Sequence, residues 1–335
     1  MDEQDAPRQR AAAPDPGQPL RLPVGRYRAR FEAERPVRMS EFPGSAWRGA
    51  LGHALKRTVC MTRLPRCREC ALYHSCAFPY FYDTPPLPGS IKMRRYQTAP
   101  HPYVLLPGED GATDYALDFT LIGQANRHLA LIIHALAKAA QGRKGVAGNI
   151  LQLRAVEQET APLGSNTWQP IYRPGTSLEA LPLARPEIPP APTSCRIRLL
   201  TPMRVKREGR RVGPVEFRFA DLFGHLLRRV SMLTAFHTDT PLETDFRGLM
   251  AQARQVTARS ELAWEDKPRY SNPQKAAMKL GGVVGSIHLV GVDLAPFWPY
   301  LWLGQFIHAG SGATMGLGRY EIEAASLQAH PLSPS

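Results

Sequence analysis

The sequence predicts an α+β protein built from two tandem ferredoxin-like domains, and three observations predict it. The chain has 335 residues, about two domains' worth of length. The order strand, helix, strands, strand, helix, strand occurs twice, at a near-constant offset. A proline-rich stretch without sustained pattern, residues 157–194, separates the two copies and reads as a linker. Residues 1–22, rich in Ala, Pro, Gln and Asp, read as a disordered tail. The expected domains are 23–156, with a Cys-rich insertion at about 60–107, and 195–326, followed by a tail over 327–335.

Each element has its own signal. Arg26-Tyr-Arg-Ala-Arg-Phe31 alternates polar with apolar residues, the period of a strand. Ser45–Val59 places Trp47, Ala50, Leu51, Ala54, Leu55 and Val59 on one helical stripe. Arg48, Gly49, Gly52, His53, Lys56 and Arg57 fall on its other side. A basic irregular stretch follows, then a strand Phe119–Gly123, an apolar helix over about 127–140, and a Gly-rich turn feeding a strand Ile150–Val156. The second copy runs Cys195–Leu200, helix Phe219–Leu233, another basic stretch, Ile287–Gly291, a helix over about 296–306, and Gly310–Gly318 leading into Arg319–Glu323. This is the split βαβ order, shared with RNA-recognition domains. Topology alone does not assign function.

Charge narrows the class of partner. The net charge is +13, and residues 26–107 and 196–279 hold all of the basic excess. That favours a polyanion, with RNA or DNA preferred over a membrane surface because no basic amphipathic helix with an exposed apolar face is present. No run reaches the length of a membrane span, and MDEQDAP is no secretory signal. A cytoplasmic protein with reduced thiols follows.

Several residues are candidates for chemistry. His53 lies off the core stripe with Lys56 and Arg57 three and four residues on, so one helix face carries an imidazole beside two cations. An imidazole can move a proton at neutral pH, and a neighbouring cation can offset charge on phosphorus. The alternative is a surface His that only touches phosphate. Cys60, Cys67, Cys70 and Cys76 form C-x6-C-x2-C-x5-C, a tetrahedral donor set for a structural Zn²⁺, with His74 as a substitute for Cys76 and an iron–sulfur cluster as the minority option. Gly310, Gly312, Gly316 and Gly318 punctuate a loop that is neither a P-loop nor a dinucleotide fingerprint. It reads as an anion nest or as a tight turn. Basic clusters at Lys92, Arg94, Arg95 with Tyr96, at Arg204, Lys206, Arg207, Arg210 and Arg211, and at Lys267, Arg269, Tyr270, Lys275 and Lys279 suit a phosphate backbone with tyrosines stacking on bases. As isolated features, each suits a solvated loop better than a specific contact.

The blocks Trp47-Arg-Gly-Ala-Leu-Gly-His-Ala-Leu55, Arg269-Tyr-Ser271…Gln274, Gly281-Gly-Val-Val-Gly-Ser286 and His308-Ala-Gly-Ser-Gly-Ala-Thr-Met-Gly-Leu-Gly-Arg-Tyr320 resemble the CRISPR precursor-RNA-processing endoribonucleases of the RAMP superfamily. Thr201-Pro202 and the Cys cluster resemble one branch of it. The resemblance implies a metal-independent endonuclease with no cofactor for catalysis, which cuts repeat RNA and keeps the product crRNA. It also implies partner subunits of a class 1 effector complex. The family's catalytic His maps to His53, with Lys56, Arg57, Tyr96 and His308 as partners, and Arg48 joins the basic residues as an RNA contact. Ser311 stands where the family pattern has Lys. Two other readings compete. One is a non-catalytic crRNA-binding subunit, which a cleavage assay separates from the enzyme. The other is a zinc-stabilised DNA-binding protein, which lacks any supporting finger or helix-turn-helix pattern.

Overall fold

A computed structural model describes residues 20–85, 99–183, 186–271 and 276–324. In the first half, strand β1 (Val24–Ala33) turns Tyr27, Ala29 and Phe31 inward and Arg26, Arg28 and Arg30 outward. Helix α1 (Pro43–Val59) starts on a proline, which suits the first helical turn. It is followed by a short helix α2 (Ala77–Tyr82), strands β2 (Tyr103–Pro107) and β3 (Asp114–Ile122), helix α3 (Leu129–Ala140) and strand β4 (Leu151–Glu159). The sheet order β2-β3-β1-β4 is that of a ferredoxin-like unit. Both helices cover one face, where Trp47, Leu51 and Leu55 meet Phe31, Leu117, Ile132 and Leu136 in a single apolar cluster.

A fifth strand, β5 (Trp168–Tyr172), adds to β4 and corrects the expected linker. Much of 157–194 is therefore part of the first sheet: β4 runs on to Glu159, and Gln158 bonds both ways with Leu181. The expected N-terminal tail is also too long. Leu20 and Leu22 are buried in the apolar core of the second half.

The second half repeats the plan. Strand β6 (Ser194–Met203) leads through a small hairpin, β7 (Lys206–Arg207) with β8 (Arg210–Arg211), into helix α4 (Phe219–His237) and helix α5 (Phe246–Gln255). A long hairpin, β9 (Arg259–Ser271) with β10 (Ala276–Val290), follows. Helix α6 (Trp298–Ile307) and strand β11 (Tyr320–Ala324) complete the unit. The order β11-β6-β10-β9 is again ferredoxin-like. The basic stretch around Lys267 and Lys279, expected to be irregular, is this paired hairpin. Alternating polar positions on a strand exposed on one face look like an irregular basic segment when read without their partner.

The halves share an interface. Phe42, just before α1, packs with Leu280, Met315 and Leu317 of the second half. At the other end, His237 of α4 bonds to Tyr80 (3.0 Å) and to the Pro100 carbonyl (2.9 Å).

Candidate functional site

The Gly-rich loop is wedged between the halves, and the wedging decides what its amides do. Gly310, Gly312, Gly316 and Gly318 all have positive φ, which glycine alone adopts without strain. Ser311 N–H donates to the Arg204 carbonyl, Gly316 N–H to Ala313, Leu317 N–H to Gly312 and Gly318 N–H to Pro202. A Cβ on Gly318 would lie 1.8 Å from the Ala309 carbonyl oxygen. The C-terminal part of the loop is thus a packed turn, which corrects the expectation of an anion nest at Gly316 and Gly318. Gly310 to Thr314 open onto a cavity.

That cavity, of about 300 Å³, lies between the halves and is lined by Pro100, His101, His225, Arg228 and Arg229 beneath the loop. No carboxylate is among its described lining residues. Arg229, on α4, is 9% exposed. Its Nε donates to the Ile307 carbonyl at 2.9 Å, while Nη2 has no partner among the described residues. Burial lowers its pKa to about 10, so it stays charged at neutral pH. His101 Nδ1 lies 2.6 Å from the Thr84 hydroxyl. That hydroxyl donates to the Tyr80 carbonyl, so His101 Nδ1 carries the proton and Nε2 does not. Burial, and then the nearby cations Arg48 and Arg229, push His101 down to about 3. His225 is likewise lowered, chiefly by burial, and its Nε2 lies 3.1 Å from both the amide and the carbonyl of Lys206. None of these four side chains carries a sequence signal, because three elements far apart in the chain bring them together.

The residues expected from sequence are scattered by comparison. His53 is exposed on α1 and makes no side-chain hydrogen bond to the described residues. Lys56 Nζ lies 5.5 Å from the Phe78 ring centroid, Arg57 is exposed, and Arg48 sits over the Tyr82 ring at 5.0 Å. His308 is buried and lines a different cavity, of about 440 Å³, with Arg26, Trp168, Phe306 and Arg319. Its Nδ1 donates to the Leu317 carbonyl at 3.1 Å, and burial pushes it down to about 3. His308 and His53 therefore share no cavity.

Arg207 is tied to Asp221 at 2.9 and 2.8 Å, so it braces α4, and Arg211 donates to the Gly281 carbonyl. Lys206 and Arg210 are exposed in their hairpin, and Arg204 supplies the carbonyl under Ser311. Lys267 pairs with Glu265, and Lys279 lies 3.8 Å from Asp266. Lys92, Arg94, Arg95, Tyr96 and Lys275, and the side chains of Arg269 and Tyr270, lie outside the described residues.

In the segment 60–76 the cysteines and Tyr73 are half-buried and every other residue is exposed. Cys60, Cys67, Cys70 and Cys76 line one narrow cavity with Lys56 and Phe78. As a donor set they fit zinc. As placed they do not, since among the described residues no three His, Cys, Asp or Glu side chains converge on a metal position.

Two family models match the chain. One, described as an N-terminal domain, covers residues 22–184, and the CRISPR-associated endoribonuclease Cas6 model covers residues 197–320. A Cas6 product complex is similar over 90% of this chain and 99% of its own, at 14% identity and a TM-score of 0.54. Thermus thermophilus Cas6 is similar over the same shares, at 14% identity and a TM-score of 0.51. A partial Cas6-RT-Cas1–Cas2 complex is matched over 93% of this chain and 48% of that one, at 14% identity and a TM-score of 0.52. At these identities the structures establish the double ferredoxin-like fold. No curated protein matches the chain. No helix among the described residues is long and apolar enough to cross a membrane.

Proposed function

We propose that the chain is a CRISPR-associated RAMP protein, a reading supported by the Cas6 endoribonuclease model that matches residues 197–320 and by the fold shared with a Cas6 product complex. From that premise we propose that it cuts CRISPR repeat RNA within the precursor transcript, once per repeat, and retains the guide RNA. The observation that carries this reading is the coincidence of that domain with a carboxylate-free basic cavity directly beneath its Gly-rich loop.

The chemistry proposed uses RNA's own nucleophile. The ribose 2′-OH attacks the adjacent phosphorus in line. The 2′-O–P bond forms as the P–O5′ bond breaks, leaving a 2′,3′-cyclic phosphate and a 5′-OH. One proton leaves the 2′-OH and another reaches the departing 5′-oxygen. His53 is the proposed proton carrier, since it stands solvent-open on α1 with Lys56 and Arg57 one turn away. Cations there offset the charge that builds on the phosphoryl oxygens. No metal takes part in these steps.

The same reading gives the four clustered thiols to a structural zinc on their donor chemistry and spacing alone, and requires them to draw closer together than they stand. It places the protein in the cytoplasm beside partner subunits of a class 1 effector complex. A second reading, a non-catalytic crRNA-binding subunit, is favoured by one observation: His53 has no hydrogen-bonding partner among the described residues that would orient it.

A denaturing gel of 5′-labelled repeat RNA in EDTA, with wild type beside His53→Ala, decides between them. We expect one cut in wild type, at least a hundredfold slower in the variant with RNA binding retained. A cut that persists in His53→Ala moves the chemistry to another residue. Tight binding without a cut in either protein selects the non-catalytic subunit.

A further inference from the structure

We propose that the cavity formed by His101, His225, Arg228 and Arg229 under Gly310–Thr314 is a phosphate-binding subsite, taking one phosphate of the bound RNA strand. The assignment of RNA as the source of that phosphate rests on the function proposed above; the phosphate site itself does not. Four observations lead to it. First, the described lining has two guanidinium groups and two imidazoles and no carboxylate. A charged, buried arginine without an acid to pair with is costly to keep, and among the described residues the hydrogen bond it makes is to a backbone carbonyl. Second, that arginine keeps an unpartnered Nη2, and a buried donor left unmade is destabilising until a ligand or water satisfies it. Third, α4 supplies His225, Arg228 and Arg229 from adjoining positions, while the first half supplies His101 through its bond to Thr84. The site exists only when the halves are docked. Fourth, the volume, about 300 Å³, admits a phosphate with part of its sugar.

Guanidinium groups suit this ligand because their planar fork matches two phosphoryl oxygens. Arg228, exposed at the rim, and Arg229, at the base, lie on neighbouring positions of one helix and reach the cavity at different depths. His101 and His225 complete the wall as neutral rings. His101, with Nε2 unprotonated, suits a sugar hydroxyl beside the phosphate better than the phosphate itself.

The test uses the full chain. Melting is followed at constant ionic strength as chloride is replaced by inorganic phosphate, and in parallel with a nucleoside 2′,3′-cyclic phosphate. At tenfold excess over its Kd a single bound ligand raises the midpoint by about 2–6 °C. We expect that shift in wild type. We expect it lost in Arg228→Gln, at an exposed position of α4, and in Arg229→Met, which replaces the buried charge with an apolar chain of similar reach. Arg30→Gln, on the outer sheet face, serves as the control that keeps it. On repeat RNA, Arg228→Gln should weaken binding about tenfold and lower the slope of log K against log salt by about one. A wild type insensitive to both phosphates, or a shift unchanged in Arg228→Gln, overturns the subsite whatever the RNA result. A phosphate shift that depends on Arg228, in a protein that does not bind repeat RNA, sustains the phosphate site and overturns the RNA assignment.

Discussion

His237 latches the two halves only as a neutral ring. Its Nε2–H donates to the Pro100 carbonyl and its Nδ1 accepts from the Tyr80 hydroxyl, so both nitrogens are satisfied without a charge. Burial holds its pKa down to about 4, against about 6.5 in an unfolded chain. A histidine depressed in this way contributes stability that is complete above pH 6.5 and is lost as pH falls through 4. At about 1.4 kcal/mol per unit, the full loss from this one group is on the order of 3 kcal/mol. His101 and His308, both pushed down to about 3, act in the same direction. The melting midpoint should therefore be flat above pH 6.5 and fall steadily from there toward pH 4, and His237→Gln should make that fall shallower while lowering the plateau. A profile equally steep in the variant removes His237 from the account. Among the sequence candidates, the exposure of His53 was legible from its position off the apolar stripe. The burial of His308 was not, because nothing in a Gly-rich loop says which cavity its first residue lines.

At the scale of elements, α1 and the Gly-rich loop are fitted to each other through glycines. A Cβ on Gly44 would lie 2.0 Å from the Met315 carbonyl oxygen, a backbone atom that can move only with the loop. Gly44→Ala should cost about 1–3 kcal/mol by overpacking, read from urea denaturation. Gly49, five residues on, has nothing within 4 Å of the same position, so Gly49→Ala should be neutral or stabilising. Gly52 was read as lying on the outer side of the helix, yet it is buried against the Tyr82 ring. Helix periodicity locates a stripe and cannot show that a second short helix covers the flank. That flank leads into the Cys segment, whose half-buried side chains are four thiols and Tyr73. Elemental analysis of the purified chain should find about one zinc per protein, lost in Cys67→Ser and kept in Cys195→Ser, because Cys195 is buried in the other core. A metal-free protein with four freely titrating surface thiols removes the zinc assignment.

Across the whole molecule, charge is sorted by face. On the outer face of the first sheet, Arg28 pairs with Asp118 at 2.6 Å, Arg30 with Glu157 at 3.0 Å, and Arg26 with Glu159. Trp168 lies under Arg28 at 4.2 Å. The second sheet answers with Arg198 and Glu323 at 2.9 Å. In an RNA-recognition domain the open sheet face carries the stacking aromatics; here it carries arginines already neutralised across the strands. Repeat RNA affinity should therefore change less than about twofold in Arg30→Ala, well short of the phosphate-contact losses expected at the cavity. A tenfold loss in Arg30→Ala would return the sheet face to the binding surface. The net charge of +13 cannot make this distinction, since a paired arginine and an unpaired one count the same.

The sequence by itself determined the repeated strand–helix order, the apolar stripe of α1, the Cys spacing and the resemblance that named a family. Each of these is local, written in spacings of two to seven residues or in contiguous blocks. The tertiary structure decided what depends on distant segments meeting. Trp168–Tyr172 is a strand because β4 offers it an edge, and Leu20 and Leu22 are ordered because the second core takes them in. Arg229 is a buried cation with an unmade bond because α4, the Gly-rich loop and the segment at His101 close around it. Burial and pairing are properties of the neighbours a residue acquires on folding, and the carbonyl that meets Arg229 lies 78 positions away in this chain.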